Sequence, residues 1–154
     1  MKEKKAAFSL VELILIVAFL GIFAAIAVPR LNFAVVSKHK AEATARKIVT
    51  DLRLTRRLAI SDAANNTKGF RLKMVPPLPY RSYEIENFDT METVASHAID
   101  SSISISCPLQ PIFMFGPLGD LRLGSGSELT ISAEGRSFTI TIIPATGMTK
   151  CVEN

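Results

Sequence analysis

The sequence predicts an α+β protein: a long N-terminal helix, transmembrane at first and then amphipathic, followed by an antiparallel β-sheet or sandwich domain. Three observations predict this class. Residues 8–28 form an apolar run long enough for a membrane-spanning helix. Apolar side chains between residues 41 and 59 recur at helical spacing. From residue 69 onward, short runs of alternating apolar and polar residues are separated by turn residues.

The composition fits one folded domain and offers little material for an enzyme. The 154 residues are 48% hydrophobic and 21% charged, with a net charge of +4, which excludes a disordered chain. Two cysteines exclude a four-cysteine zinc site, and two histidines leave few ligands for a metal enzyme. The sequence contains no phosphate-binding loop, dinucleotide fingerprint or hydrolase motif. We therefore expect no catalytic activity, no cofactor and no metal.

The apolar run near the N-terminus favours a membrane segment. Residues 1–7 contain three lysines, whereas the 21 residues of 8–28 contain a single charge, Glu12. Lysines before such a run favour a cytoplasmic N-terminus. Three interpretations fit: a signal peptide removed after Ala27, a plain signal anchor, and a leader that is cut before the run. A carboxylate inside an apolar run is costly and normally has a function, which favours the third interpretation.

The residues around Glu12 resemble the signal of type IV pilins and type II secretion pseudopilins. They read Ala6-Ala7-Phe8-Ser9-Leu10-Val11-Glu12-Leu13 and follow a short basic leader. The resemblance implies that a prepilin peptidase cleaves between Ala7 and Phe8 and that the new amine of Phe8 is methylated. It also implies that Glu12 sets the register of a subunit during filament assembly. Ala7 stands where the family normally has glycine.

The helix is predicted to continue beyond the apolar run, with one apolar face. The apolar stripe consists of Ala41, Ala45, Ile48, Leu52, Thr55 and Ala59, widened by Val49 and Leu58. Polar residues at 61–62 and 65–66 mark the end region, so we expect one long helix to about residue 63. The four predicted parts are thus a leader (1–7), a transmembrane and filament-core helix (8–28), its amphipathic continuation (29–65) and a β-domain (66–154).

The other face of the amphipathic helix is basic. Between Arg30 and Arg57, eight basic residues stand against two acidic ones. Arg46, Arg53 and Arg57 share one side of a helix because they are spaced by seven and four residues. This surface is interpreted either as a solvated or subunit-facing face or as a contact for the phosphate backbone of DNA.

The C-terminal part of the sequence reads as strands and turns. Seven runs are rich in β-branched and aromatic residues: 69–75, 82–88, 102–107, 112–117, 128–132, 137–143 and 148–152. Seven of the eight prolines lie beyond residue 75, which excludes long helices there. Four titratable residues between these runs are interpreted as solvated loop residues: Asp89, Glu92, His97 and Asp100.

The segment 113–119 and the turn at Thr146-Gly147 before the last strand are similar to motifs of the GspH/FimT family of minor pilins and pseudopilins. The resemblance implies a structural subunit, near the tip of a type IV pilus or type II secretion pseudopilus, that primes assembly. Its implied partners are prepilin peptidase, other major and minor pilins or pseudopilins, and inner-membrane lipid. The implied location is the bacterial inner membrane, as a single-pass protein with a cytoplasmic N-terminus and an external C-terminal domain, and then the filament. The alternative is a minor pilin that binds DNA during uptake.

Cys107 and Cys151 lie in the part of the chain that this location places outside the cytoplasmic membrane. Two cysteines in an oxidising compartment favour a disulfide, and the alternative is two unpaired thiols. Because the loop between them is long, a bridge would stabilise the fold by about 4 kcal/mol.

Overall fold

The computed structural model describes residues 9–27 and 33–154, which belong to two compact units. The first unit contains helix α1 (Leu10–Ala27). The second begins at Ala34 and contains helix α2 (Phe33–Ser61) from that residue onward, together with eight strands. The predicted leader (1–7) and residues 28–32, across which one continuous helix was predicted, lie outside the described residues.

The first helix begins at a polar cap. The hydroxyl oxygen of Ser9 accepts a hydrogen bond from the backbone N–H of Glu12, at 3.2 Å. Ser9 thereby satisfies one of the free donors of the first turn, as an N-cap serine does. Glu12 occupies the third helical position, where a negative charge is favourable near the helix N-terminus. The start of α1 at Leu10 follows from this local chemistry.

Within residues 9–27 and 33–154, neither helix is long and apolar enough to cross a membrane. Helix α1 has 18 residues. The prediction of a transmembrane helix over 8–28 is therefore wrong. The predicted location, as a single-pass protein of the inner membrane, is contradicted by the same finding.

Helix α2 buries the predicted stripe. Its six members (Ala41, Ala45, Ile48, Leu52, Thr55 and Ala59) are all fully buried. Val49 is also buried, and Leu58 packs against the core while partly exposed. The helix ends at Ser61, close to the predicted end at about residue 63. The amphipathic spacing therefore predicted both the helix and the side that it turns to the core.

The strands form two four-stranded sheets, and every pair of neighbouring strands is antiparallel. Sheet A has the order β3-β2-β1-β5, and sheet B has the order β4-β6-β7-β8. The strands are β1 (Phe70–Val75), β2 (Ser82–Asn87), β3 (Thr93–Ala98), β4 (Ser104–Ser106), β5 (Ile112–Phe115), β6 (Glu128–Ala133), β7 (Arg136–Ile143) and β8 (Met148–Glu153). The α+β order and the antiparallel sheets are as predicted, and β3 is a strand that the sequence did not indicate.

Helix α2 and both sheets share one hydrophobic core. Alternate residues of the strands point into it, so Leu72 of β1, Phe113 of β5 and Ile140 of β7 are fully buried. The two sheets also meet through the connection between β5 and β6. Leu121 forms a bridge with Phe115, and its N–H donates to the carbonyl of Pro144 at 2.8 Å. This connection holds the β5–β6 loop beside the turn between β7 and β8.

Candidate functional site

Helix α1 presents an apolar surface. Its large apolar side chains between Leu10 and Phe23 are 46% to 74% exposed, and the charge among them is that of Glu12. A helix that is apolar on all sides normally lies buried against other apolar groups. The predicted cleavage and methylation residues, Ala7 and Phe8, lie outside the described residues. Glu12 is placed in the first turn of this surface, with its side chain exposed.

The three predicted arginines of α2 fall into two different environments. Arg46 is highly exposed and pairs with Glu42 one turn earlier, at 2.6 Å between Nη2 and Oε1. Arg53 and Arg57 line a cleft further along the helix, together with Arg56. On this predicted helical face, Arg46 is therefore paired with a carboxylate. Arg53 and Arg57 have no carboxylate partner among the described residues.

We call the second environment the arginine cleft. It has a volume of about 480 Å³ and lies between the C-terminal half of α2 and the start of β8. Its lining residues are Arg53, Arg56, Arg57, Ile60, Ser61, Gly147, Met148 and Thr149. Its lining contains three arginines and no carboxylate, so its potential is positive.

Two glycines allow the loops to approach the cleft. Gly119 has φ +78° and Gly147 has φ +64°, values that favour glycine. A Cβ at Gly147 would collide with the carbonyl oxygen of Gly119 and crowd the side chain of Arg56. With no Cβ there, Arg56 Nε donates a hydrogen bond to that carbonyl at 3.0 Å. Both glycines lie in the two C-terminal motifs of the sequence, but the sequence pattern did not connect them with Arg56.

At the other end of the same helix face the charges are balanced. A second, smaller cleft there is lined by Glu42, Ala45, Arg46, Phe138, Cys151 and Glu153. Arg136 contacts Glu153 at 2.5 Å and lies 3.8 Å from Glu42. Each guanidinium group at this end thus has a carboxylate partner, unlike those of the arginine cleft.

The structure does not bring the two cysteines together. Cys107 follows β4 and Cys151 lies in β8, and these strands are the opposite edges of sheet B. Adjacent strands are about 4.8 Å apart, so three steps separate the residues by about 14 Å, while a disulfide needs Cα atoms within about 7 Å. Both are free thiols. Burial raises the pKa of Cys107 to about 11, and burial also raises the pKa of Cys151, opposed by the charge of Arg46.

A buried polar cluster joins α2 to sheet A. The hydroxyl of Tyr83 in β2 donates to Asp51 Oδ2 at 2.6 Å, and both residues are buried. His97 Nε2 in β3 lies 3.5 Å from the same oxygen, and its ring lies 5.3 Å from that of Tyr83. The interpretation of His97 as a solvated loop residue is wrong, because it lies in a strand and is half-buried. His97 lies five residues before the predicted run 102–107, and the sequence gave no signal for this contact.

Comparison with known proteins identifies no relative. The chain matches no protein-family model, no curated protein and no solved structure. The described residues also contain no group of three or more histidine, cysteine, aspartate or glutamate side chains that could hold a metal ion. The surface of α1 and the arginine cleft are therefore the two features of the described residues that indicate a function.

Proposed function

We propose that this chain is a minor pilin or pseudopilin, a structural subunit that packs into a type IV pilus or a type II secretion pseudopilus. The observation that carries the proposal is α1. It is a capped helix with large exposed apolar side chains and a single carboxylate, Glu12, in its first turn. Removing such a surface from water stabilises an assembly by roughly 25 cal/mol per Å² of apolar area. Packing α1 against the equivalent helices of neighbouring subunits achieves this.

The remainder of the chain supports the same role. The core of the second unit is formed by residues between Ala41 and Ile142, so it closes without any side chain of α1. A subunit of this kind can contribute one helix to a filament and present a folded β-domain outward. Near the tip, such a domain primes assembly by engaging the subunits that follow. Its partners in this proposal are prepilin peptidase and other pilins or pseudopilins.

Glu12 supplies the sharpest test of this proposal. In a filament, its carboxylate would lie among apolar helices, where a charge needs an opposite charge, and the free amine of Phe8 on a neighbouring subunit can supply it. We expect Glu12→Ala and Glu12→Gln to enter isolated filaments at least about tenfold less than the wild type, because breaking a buried ion pair costs about 3–5 kcal/mol. Filament entry is measured by quantitative immunoblotting of sheared filaments.

The processing step is checked on the same material. The mass and N-terminal sequence of the chain isolated from cells should correspond to a methylated Phe8, and Ala7→Gly should leave this product unchanged. A chain that begins at Met1 in both forms contradicts processing by prepilin peptidase. Entry of Glu12→Ala into filaments at the level of the wild type contradicts the register role of Glu12.

DNA binding stays a prediction. It was expected from Arg46, Arg53 and Arg57, but Arg46 is paired with Glu42. Binding of duplex DNA that weakens with added salt would support it, because phosphate contacts release counterions. Lack of binding at low salt would remove it.

A further inference from the structure

The arginine cleft contains an uncompensated cluster of positive charge. The ion pairs among the described residues include none of Arg53, Arg56 and Arg57. Like charges that line one cleft repel one another, and an anion bound between them reduces the repulsion. The cleft therefore has an electrostatic preference for an anionic group.

The cleft is also held in shape. Arg56 is anchored by its hydrogen bond to the carbonyl of Gly119, and it is the least exposed of the three arginines. Thr149 adds a hydroxyl that is buried and has no hydrogen-bond partner in the described part of the chain. The fixed guanidinium group of Arg56 can donate to an incoming oxygen.

The walls of the cleft indicate which chemical group accompanies the anionic group of a ligand. Ile60 is 43% exposed and Met148 is 59% exposed, so apolar surface lies beside the arginines. The volume of about 480 Å³ lies within the range of about 300–1,000 Å³ that is usual for specific pockets. A carboxylate side chain accompanied by an apolar neighbour matches these walls.

The same features disfavour an extended nucleic-acid backbone. DNA affinity depends on several phosphates contacted along a track. On this face of α2, the track would run from the arginine cleft toward Glu42 and Glu153, whose carboxylates already hold Arg46 and Arg136. A compact anion avoids those carboxylates, whereas a phosphate backbone meets them.

We propose that the arginine cleft binds an acidic side chain, flanked by an apolar residue, on a neighbouring protein subunit of the filament. The donors are Arg53, Arg56 and Arg57, and the apolar contacts are Ile60 and Met148. Charged hydrogen bonds of arginine to carboxylate provide the attraction, and the apolar walls provide selectivity over free anions. This inference rests on the proposed function for the identity of the partner, but the cleft itself can be tested on the isolated chain.

The test uses the full chain in a nonionic detergent and two synthetic peptides that differ only in charge. One peptide alternates glutamate with leucine, and the other replaces each glutamate with glutamine. Binding is measured by isothermal titration calorimetry at low salt. The double variant Arg53→Gln with Arg57→Gln is compared with the matched control Arg46→Gln with Lys47→Gln, which removes the same charge from the same helix. All four residues are exposed, so both variants should keep the wild-type unfolding midpoint.

The glutamate peptide should bind the wild type, and the glutamine peptide should not. Affinity should fall about tenfold or more in the Arg53/Arg57 variant and less than about threefold in the control. Equal losses in the two variants, or no binding of the glutamate peptide, would overturn the inference. Tighter binding of a 12-base-pair duplex than of the peptide, with the same arginine dependence, would overturn it in favour of a phosphate site. Should the double variant not fold, the single variant Arg57→Gln takes its place.

Filament entry separates this inference from the proposed function. If the peptide binds as expected but the wild-type chain is missing from filaments, the proposed function fails and the cleft stands. If the wild-type chain enters filaments but binds no acidic peptide, the cleft inference fails and the proposed function stands.

Discussion

Asp51 is a buried carboxylate of α2, and the phenol hydroxyl of Tyr83 donates a hydrogen bond to it. It is 8% exposed and Tyr83 is 1% exposed. Burying a carboxylate away from water costs free energy unless a hydrogen-bond donor pairs with its oxygens. The hydroxyl of Tyr83, at 2.6 Å, supplies that partner from sheet A. Burial first, and then the hydrogen bond to Asp51 and its negative charge, raise the pKa of Tyr83 well above its usual value.

Tyr83→Phe removes this partner while keeping the aromatic ring. We expect the free energy of unfolding at pH 7 to fall by about 2 kcal/mol, because the buried oxygen of Asp51 loses its hydrogen bond and keeps only His97 Nε2, 3.5 Å away. The measurement is urea unfolding followed by circular dichroism. Asp51→Asn serves as the control, since its amide oxygen can still accept the phenol hydrogen, and its loss should be smaller.

The pH dependence follows from the direction of the Tyr83 shift. The folded protein holds the phenol proton to higher pH than the unfolded chain, whose tyrosine titrates at about 10. The contribution of Tyr83 to stability is thus complete below about pH 10 and is lost as the pH rises further, by up to about 1.4 kcal/mol per pH unit. The wild-type curve should approach that of Tyr83→Phe above pH 10. Parallel curves between pH 8 and 11 would contradict this assignment.

At the scale of elements, the sequence was informative where the physics is local. The stripe from Ala41 to Ala59 predicts α2 because burial on one side of a helix leaves a 3.6-residue period. Strand β7 likewise alternates from Phe138 to Ile142, since its two faces differ. Neither feature requires knowledge of the partner element.

Features defined by backbone pairing or by contacts between elements left no such periodic pattern in the sequence. Strand β3 lies at the edge of sheet A and is exposed over most of its length, so it has no apolar alternation. Its backbone bonds to β2 define it, and these bonds pair residues 7 to 16 positions apart, independently of side-chain pattern. In the same way, Arg56 joins the arginine cleft through Gly119, 63 residues further along the chain. The transmembrane prediction over 8–28 failed differently, because neither helix within residues 9–27 and 33–154 is long and apolar enough to cross a membrane.

The β7–β8 turn offers a prediction at this scale. Gly147→Ala places a Cβ against Gly119 and Arg56, whereas Gly135→Ala places one in open space at a similar positive φ. Both variants strain the backbone, but only the first also overpacks a contact. We expect Gly147→Ala to be less stable than Gly135→Ala by about 1–3 kcal/mol in urea unfolding. Equal losses would show that the turn relaxes freely and that Gly147 does not hold the cleft in shape.

At the scale of the whole molecule, the two units differ in whether their apolar side chains are buried. The second unit buries its apolar residues between α2 and the two sheets. The first unit leaves the large side chains of α1 exposed. Exposed apolar surface of this extent normally marks a site of association. We therefore expect the second unit to fold on its own core and the first unit to provide a surface for association.

This division makes a prediction about a shortened chain. A protein of residues 34–154 should unfold cooperatively with the same urea midpoint as the full chain, because the core is complete without α1. It should sediment as a monomer, whereas the full chain should form larger species in the absence of detergent. Leu13→Lys with Leu20→Lys in the full chain is the matched control: it interrupts the apolar surface of α1 and should shift sedimentation toward the monomer. Loss of the cooperative transition in the shortened chain would show that α1 is needed for folding, and association by the shortened chain would place the main assembly surface on the second unit.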